Sequence, residues 1–175
     1  MEFHPIALRI EQLLQARGFW YERFEHAPVR TSEEAARVRP NYSIYQGTKA
    51  LILRGKKGGT KEFFMVGIPG HLVFERKKLQ DESGYRDVRF VTEDEVRSIT
   101  GGVEPGGVPP LGALFHLPTF VDQHVFNHEH IIFNAGDRRV SIAMRSVDFR
   151  TFLPITIADL ARFPEDRRCI SPLAP

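Results

Sequence analysis

Apolar residues recur along the chain with two periods, one typical of helices and one typical of strands. Residues 5–17 carry their apolar side chains at helical spacing, between Pro5 at the start and Gly18 after the end. Residues 19–26 are rich in aromatic side chains, which favours a strand. No fixed-period repeat or low-complexity tract interrupts the chain. The pattern therefore predicts helices and strands that alternate within one unit.

Two helix starts are marked by capping boxes, in which a Thr and a Glu three residues later satisfy each other's backbone amides. Thr31 and Glu34 form the first box, and Thr92 and Glu95 form the second. Each box predicts a short helix directly after its threonine. Further short helices are expected over 75–83 and 147–153.

The clearest strand pair is predicted at residues 48–54 and 61–68, two apolar runs joined by a turn with paired glycines. Both alternate faces of 48–54 are apolar, so this strand is expected to be buried on two sides. Because several strand pairs read as hairpins, we expect an α+β (mixed α/β) fold with a mixed sheet flanked by helices, not a parallel doubly wound fold. More strands are expected over 87–91, 120–122, 130–133 and 140–144.

Composition places the chain among ordinary globular proteins. It has 175 residues, of which 42% are hydrophobic and 26% charged, so we expect a single domain over 1–175 with 154–175 as a C-terminal tail. The net charge of only +2 argues against a general nucleic-acid coat and leaves room for a local basic patch. The single cysteine, Cys169, excludes an internal disulfide and a multi-cysteine zinc site.

No apolar run is long enough to span a membrane, and the N-terminal stretch carries charges that a signal peptide lacks. We therefore expect a cytoplasmic protein with neither a membrane nor DNA as a partner.

Lys49 is the first residue with candidate chemistry. It opens the apolar strand at 48–54, where a lysine either reaches out to water or is held inside a cleft. In a cleft, its ammonium would meet an anionic or carbonyl oxygen of a ligand. The residues alone leave both interpretations open.

The loop from Gly101 to Gly112 is the second candidate. Its prolines stiffen the backbone, and its glycines let backbone N–H groups approach a ligand closely, as in oxyanion holes and anion nests. It matches neither a P-loop nor a dinucleotide-binding fingerprint. An ordinary surface connection is the alternative.

Two further groups of polar residues have a functional and an ordinary interpretation. The lysines Lys56, Lys57 and Lys61, in or beside the hairpin turn, are either solvated surface residues or a patch that faces phosphates. His124, His128 and His130 have a spacing that zinc ligands can adopt, but no HExxH pattern is present. Surface or partly packed histidines, with no metal, are therefore expected.

Side-chain nucleophiles are missing from the motifs. No GxSxG elbow and no paired-carboxylate motif is present, and Cys169 has no adjacent histidine. A hydrolase with this sequence would rely on positioning and backbone dipoles.

In their order, the segments FEHAPVRTSEEAA, QGTKALIL, GGVPPLG, FVD and NAG resemble the YbaK/ProX-type aminoacyl-tRNA editing domains. These are free-standing relatives of the insertion domain of bacterial prolyl-tRNA synthetase. The resemblance runs from about Ile6 to Phe149 and implies a mixed, partly barrel-like sheet flanked by helices. It also implies hydrolysis of the ester that joins a wrong amino acid to tRNA, with tRNA-Pro or a related tRNA as substrate. No cofactor is implied, and an aminoacyl-tRNA synthetase is a further candidate partner.

The resemblance also implies which residues form the site. Lys49 would bind the terminal part of the substrate, and the backbone amides of Gly106 and Gly107 would face the aminoacyl group. The lysine-rich hairpin would contact the acceptor stem through phosphates. The other residues that match substrate-binding positions are Phe24, Thr31, Val108, Pro109, Asp122, Asn134, Gly136 and Ser141.

Two departures from relatives concern the choice of amino acid. The turn reads Asn134-Ala135-Gly136 where relatives often carry Gly-Gly or a histidine. Ser141 stands where some cysteine-directed relatives have an acid. Both leave the substrate amino acid open, and neither alters the expected chemistry.

The expected mechanism follows from the absence of a nucleophile. A positioned water, aided by the substrate's own ribose hydroxyl, would attack the ester carbonyl while the amide of Gly106 or Gly107 stabilises the oxyanion. One alternative is a non-catalytic module of the same fold that binds aminoacyl-tRNA or a nucleotide. A second is a metal-dependent hydrolase that uses the histidines at 124–130.

Overall fold

Helices and strands alternate through the computed structural model, which describes residues 2–165. The helices of that region are α1 (Pro5–Ala16), α2 (Ser32–Val38), α3 (Arg76–Ser83), α4 (Glu93–Thr100) and α5 (Ser146–Phe152). The strands are β1 (Tyr21–Glu25), β2 (Thr48–Lys57), β3 (Thr60–Pro69), β4 (Val73–Phe74), β5 (Arg86–Phe90), β6 (Thr119–Asp122), β7 (His130–Asn134), β8 (Val140–Arg145), β9 (Thr156–Ala158) and β10 (Ala161–Arg162). Short 3₁₀ turns follow at Gly112–Phe115 and Gln123–Asn127.

The strands form two main sheets and one small ladder. Five strands pair in the order β5-β2-β3-β6-β9, with β6 parallel to both of its neighbours and the other pairs antiparallel. Three more pair antiparallel as β1-β8-β7, and β10 pairs with β4. Among the described strands, the two main sheets meet at a parallel bridge between Gly47 and Ile132 and do not close into a single barrel. The mixed α+β class is as expected.

Strand β2 contributes to two separate hydrophobic cores, which explains why both of its faces are apolar. Ile52 and its cross-strand partner Met65 belong to the larger core, together with residues of α1, β7, β8 and α5. Leu53 and its partner Phe64 point the other way, into a smaller core closed by α3 and β5. The middle of β2 is thereby fixed from two sides.

Local signals in the sequence account for most helix ends. Both predicted capping boxes form, with Thr31 accepting from the amide of Glu34 and Thr92 from that of Glu95. Gly101 ends α4 in a left-handed conformation at φ 70°. The first helix begins one residue beyond His4, whose ring nitrogen accepts from the amide of Ile6.

The described part of the segment expected to be a tail, residues 154–165, carries structure. Strand β9 extends the five-stranded sheet and β10 pairs with β4, and both Leu160 and Ala161 are buried. Pairing between strands that are distant in sequence sets these short elements, which is why periodicity over two or three residues could not reveal them. Cys169 lies outside the described residues. Within residues 2–165, no helix is long and apolar enough to cross a bilayer.

Candidate active site

A cavity of about 350 Å³ opens where β2 begins, between α2 and the Gly/Pro-rich loop. One face of α2 forms one wall of the cavity, and the residues leading into β2 form the opposite wall. The lining residues are Arg30, Thr31, Ser32, Glu33, Ala35, Arg39, Gly47, Thr48, Lys49, Ala50, Leu51, Gly70, Gly106, Val108 and Asn134. Lys49 and the Gly/Pro-rich loop therefore meet in one crevice although they lie far apart in sequence.

Lys49 is half-buried in this cavity, not extended into solvent. Its Nζ donates hydrogen bonds to the carbonyl oxygens of Gly70, at 3.2 Å, and Leu72, at 2.8 Å. Burial lowers the pKa of Lys49 below its ordinary value, and the carboxylate of Glu33 opposes that shift. An ammonium has three donors, so one N–H remains for a ligand after these two bonds.

The backbone amides of the loop differ in their availability. The amide of Gly107 donates to the carbonyl of Glu104 at 2.8 Å, and Gly107 is buried behind the cavity wall. By contrast, no described residue accepts a hydrogen bond from the amides of Gly106 or Val108, and both residues line the cavity. Of the two amides expected to face a ligand, that of Gly106 is free and that of Gly107 is used by a turn, whereas the amide of Val108 is also free among the described residues.

A partly buried hydrogen-bond network holds the loop from behind. Asn134 donates from its side-chain nitrogen to the carbonyl of Gly106 at 2.6 Å. Its oxygen accepts from Nη2 of Arg39 at 2.8 Å and lies 3.1 Å from Oγ of Ser141. Nε of Arg39 also donates to the Ser141 hydroxyl, at 2.9 Å. Ser141 is fully buried, so it supports the cavity floor without lining it.

His26 completes this network. Its Nδ1 lies 2.8 Å from the carbonyl oxygen of Ala27, which can only accept, so Nδ1 carries the proton. Nε2 then faces the Ser141 hydroxyl at 2.7 Å. Burial is the main cause that lowers the pKa of His26, and the charge of Arg39 lowers it further. The neutral ring is therefore favoured in the folded protein.

Arg39 has an unusual environment for a cation. Its residue is only 7% exposed, and burial lowers the pKa of its guanidinium to about 10. Among residues 2–165, no carboxylate forms an ion pair with it. Sequence reasoning missed this residue because Arg39 follows a helix of charged residues and looks like a solvated end.

Several residues expected in the pocket lie elsewhere. Phe24 pairs with Ser141 across β1 and β8 and packs edge-on against Tyr42. Pro109 is buried behind Val108. None of these three expected residues, Phe24, Pro109 or Ser141, lines the cavity, so each reaches a ligand only through its neighbours.

Asp122 and Gly136 make contacts that stabilise the fold. The fully buried carboxylate of Asp122 accepts from the amides of His124, at 2.9 Å, and Leu160, at 2.8 Å. Gly136, at φ 88°, packs so closely on Ile6 of α1 that an ideal Cβ would lie 1.6 Å from Cγ2 of that side chain. Gly136 lines a second cavity, of about 400 Å³, beside the N-terminal segment.

The hairpin lysines lie at the far end of β2. Lys57 comes eight residues after Lys49 in the same strand, which corresponds to about 26 Å at about 3.3 Å per residue. Lys56 forms an ion pair of 2.6 Å with Asp87, and Nζ of Lys57 lies 5.4 Å from the centre of the Tyr85 ring. Lys61 is exposed. The tip is basic, but it is separate from the cavity.

The three histidines do not converge. His124 bonds Asp122 at 2.8 Å, whereas His130 packs edge-on against Trp20. Within the part of the chain that the structure describes, no three His, Cys, Asp or Glu side chains gather as a metal site would require. His128 therefore belongs to no such group.

Comparison with known proteins identifies the family. A model of the aminoacyl-tRNA editing domain matches residues 26–152, which is more than half of the chain. The chain belongs to the aminoacyl-tRNA editing domain family. The matched segment includes every residue that lines the cavity.

Individual relatives agree with this assignment. The editing domain is 28% identical, over 126 residues, to EbsC of Enterococcus faecalis, a candidate Cys-tRNA(Pro)/Cys-tRNA(Cys) deacylase; the alignment spans 71% of this chain and 74% of that protein. A solved structure described as a candidate trans-editing enzyme for prolyl-tRNA synthetase superposes with a TM-score of 0.77 at 26% identity, covering 92% of this chain and 99% of the other. The hypothetical protein APE2540 shares the fold, with a TM-score of 0.77 at 22% identity over 88% and 99% of the two chains. The expected family and fold class are confirmed.

Proposed function

We propose that this editing domain hydrolyses the ester bond of mischarged aminoacyl-tRNA in trans. One observation carries the proposal: a half-buried ammonium, Lys49, and the unbonded amide of Gly106 line the same cavity. An ester between an amino acid and a ribose offers both groups an oxygen to bind. The family match and the deacylase relatives support the same reaction.

The reaction needs no side-chain nucleophile. The oxygen of a water molecule, oriented by the free ribose hydroxyl next to the ester, adds to the carbonyl carbon, and its proton passes to solvent or to the leaving oxygen. The carbonyl oxygen becomes an oxyanion, which the amides of Gly106 and Val108 stabilise by hydrogen bonds. Collapse of this intermediate breaks the C–O bond to the ribose. Attack by water yields the free amino acid and tRNA directly.

Lys49 positions the substrate. Its two bonds to the carbonyls of Gly70 and Leu72 fix the ammonium at the cavity wall, and its third N–H is directed by that geometry. We assign it to the ribose or phosphate oxygens at the 3′ end of the tRNA. Thr31 borders the same space, but its hydroxyl already caps α2 by accepting from Glu34.

Specificity and partners are part of the proposal. The relatives' descriptions favour a tRNA for proline or a related tRNA, with a small amino acid such as cysteine as the wrong one. We assign Lys56, Lys57 and Lys61 to the duplex part of the acceptor stem, because their distance from the cavity excludes contact with the terminal nucleotide. An aminoacyl-tRNA synthetase is a further proposed partner, and the cytoplasm, where translation occurs, is the proposed place of action.

A deacylation assay tests the function. Purified protein is incubated with tRNAs charged with alanine, serine, cysteine or proline, and loss of the ester is followed. We expect hydrolysis of at least one, and Lys49→Ala should reduce the rate about 100-fold, the scale for loss of the group that positions the substrate. The matched control is Lys77→Ala, an exposed lysine outside the cavity.

The assay also separates the alternative function. Saturable, salt-sensitive binding of aminoacyl-tRNA without hydrolysis of any ester would identify a non-catalytic binding module. Full activity of a folded Lys49→Ala variant would remove this lysine from the mechanism.

A further inference from the structure

Within residues 2–165, Arg39 is a charged group without a counter-charge. It lies at the C-terminal end of α2 with 93% of its surface removed from solvent, since 7% remains exposed. The acidic residue that lines the cavity, Glu33, influences the pKa of Lys49 and forms no ion pair with Arg39. A buried cation costs free energy unless it is paired, and such groups in proteins are normally paired or hydrogen-bonded throughout.

The hydrogen bonds of Arg39 leave one edge of the guanidinium unused. Nε donates to Ser141 and Nη2 donates to Asn134, which accounts for two of its five N–H donors. No described residue accepts from Nη1. Among residues 2–165, the only fully buried side-chain nitrogen or oxygen without a partner is Nδ1 of His71, so Nη1 retains access to open space.

The open space beside Nη1 is the cavity itself. Arg39 lines the cavity, and so does Gly47, where an added Cβ would lie 3.6 Å from Nη1. A larger residue at 47 would therefore stand next to the free edge. The two bonded nitrogens meanwhile lock the plane of the guanidinium, so the free Nη edge is already oriented for a ligand.

We propose that Arg39 forms an oxyanion subsite of the cavity, in which the bound substrate supplies the negatively charged oxygens that complete its pairing. A guanidinium edge binds two oxygens of a phosphate or a carboxylate side by side, which an ammonium cannot do. This inference rests on the proposed function only for the identity of the substrate.

Two groups of an aminoacyl-tRNA carry such oxygens. One is the phosphodiester before the terminal adenosine, which every aminoacyl-tRNA has. The other is a side-chain carboxylate, present only when the amino acid is acidic. The proposal covers their shared chemistry, and binding measurements distinguish them.

The experiment measures binding of compounds that cannot be hydrolysed. Alanine or aspartate is linked through an amide to the 3′ position of 3′-amino-3′-deoxyadenosine, and each compound is made with and without a 5′-phosphate. Dissociation constants are measured by calorimetry for the wild-type chain, Arg39→Gln and Arg37→Gln. The last variant removes an exposed positive charge from the same helix and serves as the matched control.

We expect one added anionic group to tighten binding at least tenfold in the wild type and in Arg37→Gln, and to have no effect in Arg39→Gln. Tightening by the 5′-phosphate assigns the phosphodiester, and tightening by aspartate over alanine assigns the carboxylate. For each variant, the ratio of the dissociation constants of two ligands is compared. A general loosening of the pocket would weaken the binding of both ligands equally and would leave this ratio unchanged.

Three results would overturn the proposal: no compound binds the wild type, neither group tightens binding, or the tightening persists in Arg39→Gln. If the glutamine variant does not fold by circular dichroism, Arg39→Lys is measured instead. The ammonium of a lysine cannot bind two oxygens side by side. If the added anionic group tightens binding to Arg39→Lys as much as to the wild type, the assignment is contradicted. Because no bond is hydrolysed, a negative result leaves the deacylation assay to judge the proposed function independently.

Discussion

Asn134 donates a hydrogen bond of 2.6 Å to the carbonyl oxygen of Gly106, across 28 residues of sequence. The same side chain is held from the other side by Arg39 and Ser141. The position of the proposed oxyanion donor is therefore set by a partly buried polar network, whose members specify one geometry because each is bonded to the next.

This relationship predicts the effect of Asn134→Asp. An aspartate still accepts from Arg39, but its oxygens cannot donate to the carbonyl of Gly106. We expect kcat for deacylation to fall roughly fivefold, the scale of one lost hydrogen bond of about 1 kcal/mol, and the melting temperature to fall. KM should rise as well, because the new carboxylate pairs with Arg39 and competes with the anionic oxygens of the substrate. Steady-state kinetics and thermal unfolding measure this. Asn127→Asp, an exposed change of the same kind, is the control, and equal kcat values for both variants would contradict the role of the Asn134 amide.

The lowered pKa of His26 predicts a loss of stability in mild acid. Its folded-state pKa lies below the value of the unfolded chain, about 6.5, chiefly through burial, with Arg39 lowering and Asp137 raising it. As the pH falls through about 6.5 toward the folded pKa, the unfolded state binds the proton first, so the free energy of unfolding decreases. At higher pH this contribution is fully present.

Urea denaturation of the wild type and His26→Gln at pH 7.5 and pH 5 measures this effect. We expect the decrease between the two pH values to be smaller in the variant, because one group with a lowered pKa is gone. His71 also has a pKa lowered mainly by burial, so part of the wild-type slope remains. An identical slope in both proteins would show that His26 titrates normally.

Gly136 is predicted to contribute to the stability of the folded protein. An alanine there would meet Ile6 and would adopt a left-handed conformation at φ 88°. We expect Gly136→Ala to lower the free energy of unfolding by about 3 kcal/mol or more. Gly84→Ala is the matched control, since Gly84 has φ 75° with open space around it and should lose only about 1 kcal/mol. A stable Gly136→Ala protein without activity would instead favour a role in the substrate pocket.

The hairpin lysines are predicted to affect tRNA and not the terminal nucleotide. The double change Lys57→Gln and Lys61→Gln should raise KM for charged tRNA and reduce the slope of log affinity against log salt by about 1.5, or about 0.7–0.9 per phosphate contact. Hydrolysis of a 3′-aminoacyl-adenosine should be unaffected. Arg9→Gln with Arg17→Gln removes the same charge from exposed positions near α1 and serves as the control. An unchanged slope of log affinity against log salt would show that the hairpin lysines do not contact the tRNA.

Sequence patterns predicted the elements whose hydrogen bonds join residues close in sequence. The capping boxes at Thr31 and Thr92 and the β2–β3 hairpin formed as expected, because their hydrogen bonds join residues close in sequence. The meeting of Lys49 with the Gly/Pro-rich loop followed from a family resemblance that preserves the order of segments. Periodicity carried no information about it.

The remainder of the site depends on contacts that no window of sequence contains. The pairing state of Arg39 is decided by which side chains fold against it from β7 and β8, and the availability of the Gly106 and Gly107 amides is decided by one turn bond to Glu104. Asp122 was expected in the pocket because it belongs to a recognisable segment. Its carboxylate is instead used by the amide of Leu160, 38 residues later.

That bond to Leu160 has a practical consequence for where the polypeptide can be cut. The family match ends at residue 152, but β9 covers the outer edge of β6, and the buried Asp122 carboxylate needs the Leu160 amide. Truncation after Phe152 would leave the Asp122 carboxylate without the Leu160 amide and would expose the edge of β6. Exposed strand edges are surfaces through which chains aggregate. Shortened versions made for crystallography or screening should therefore extend at least through Arg162.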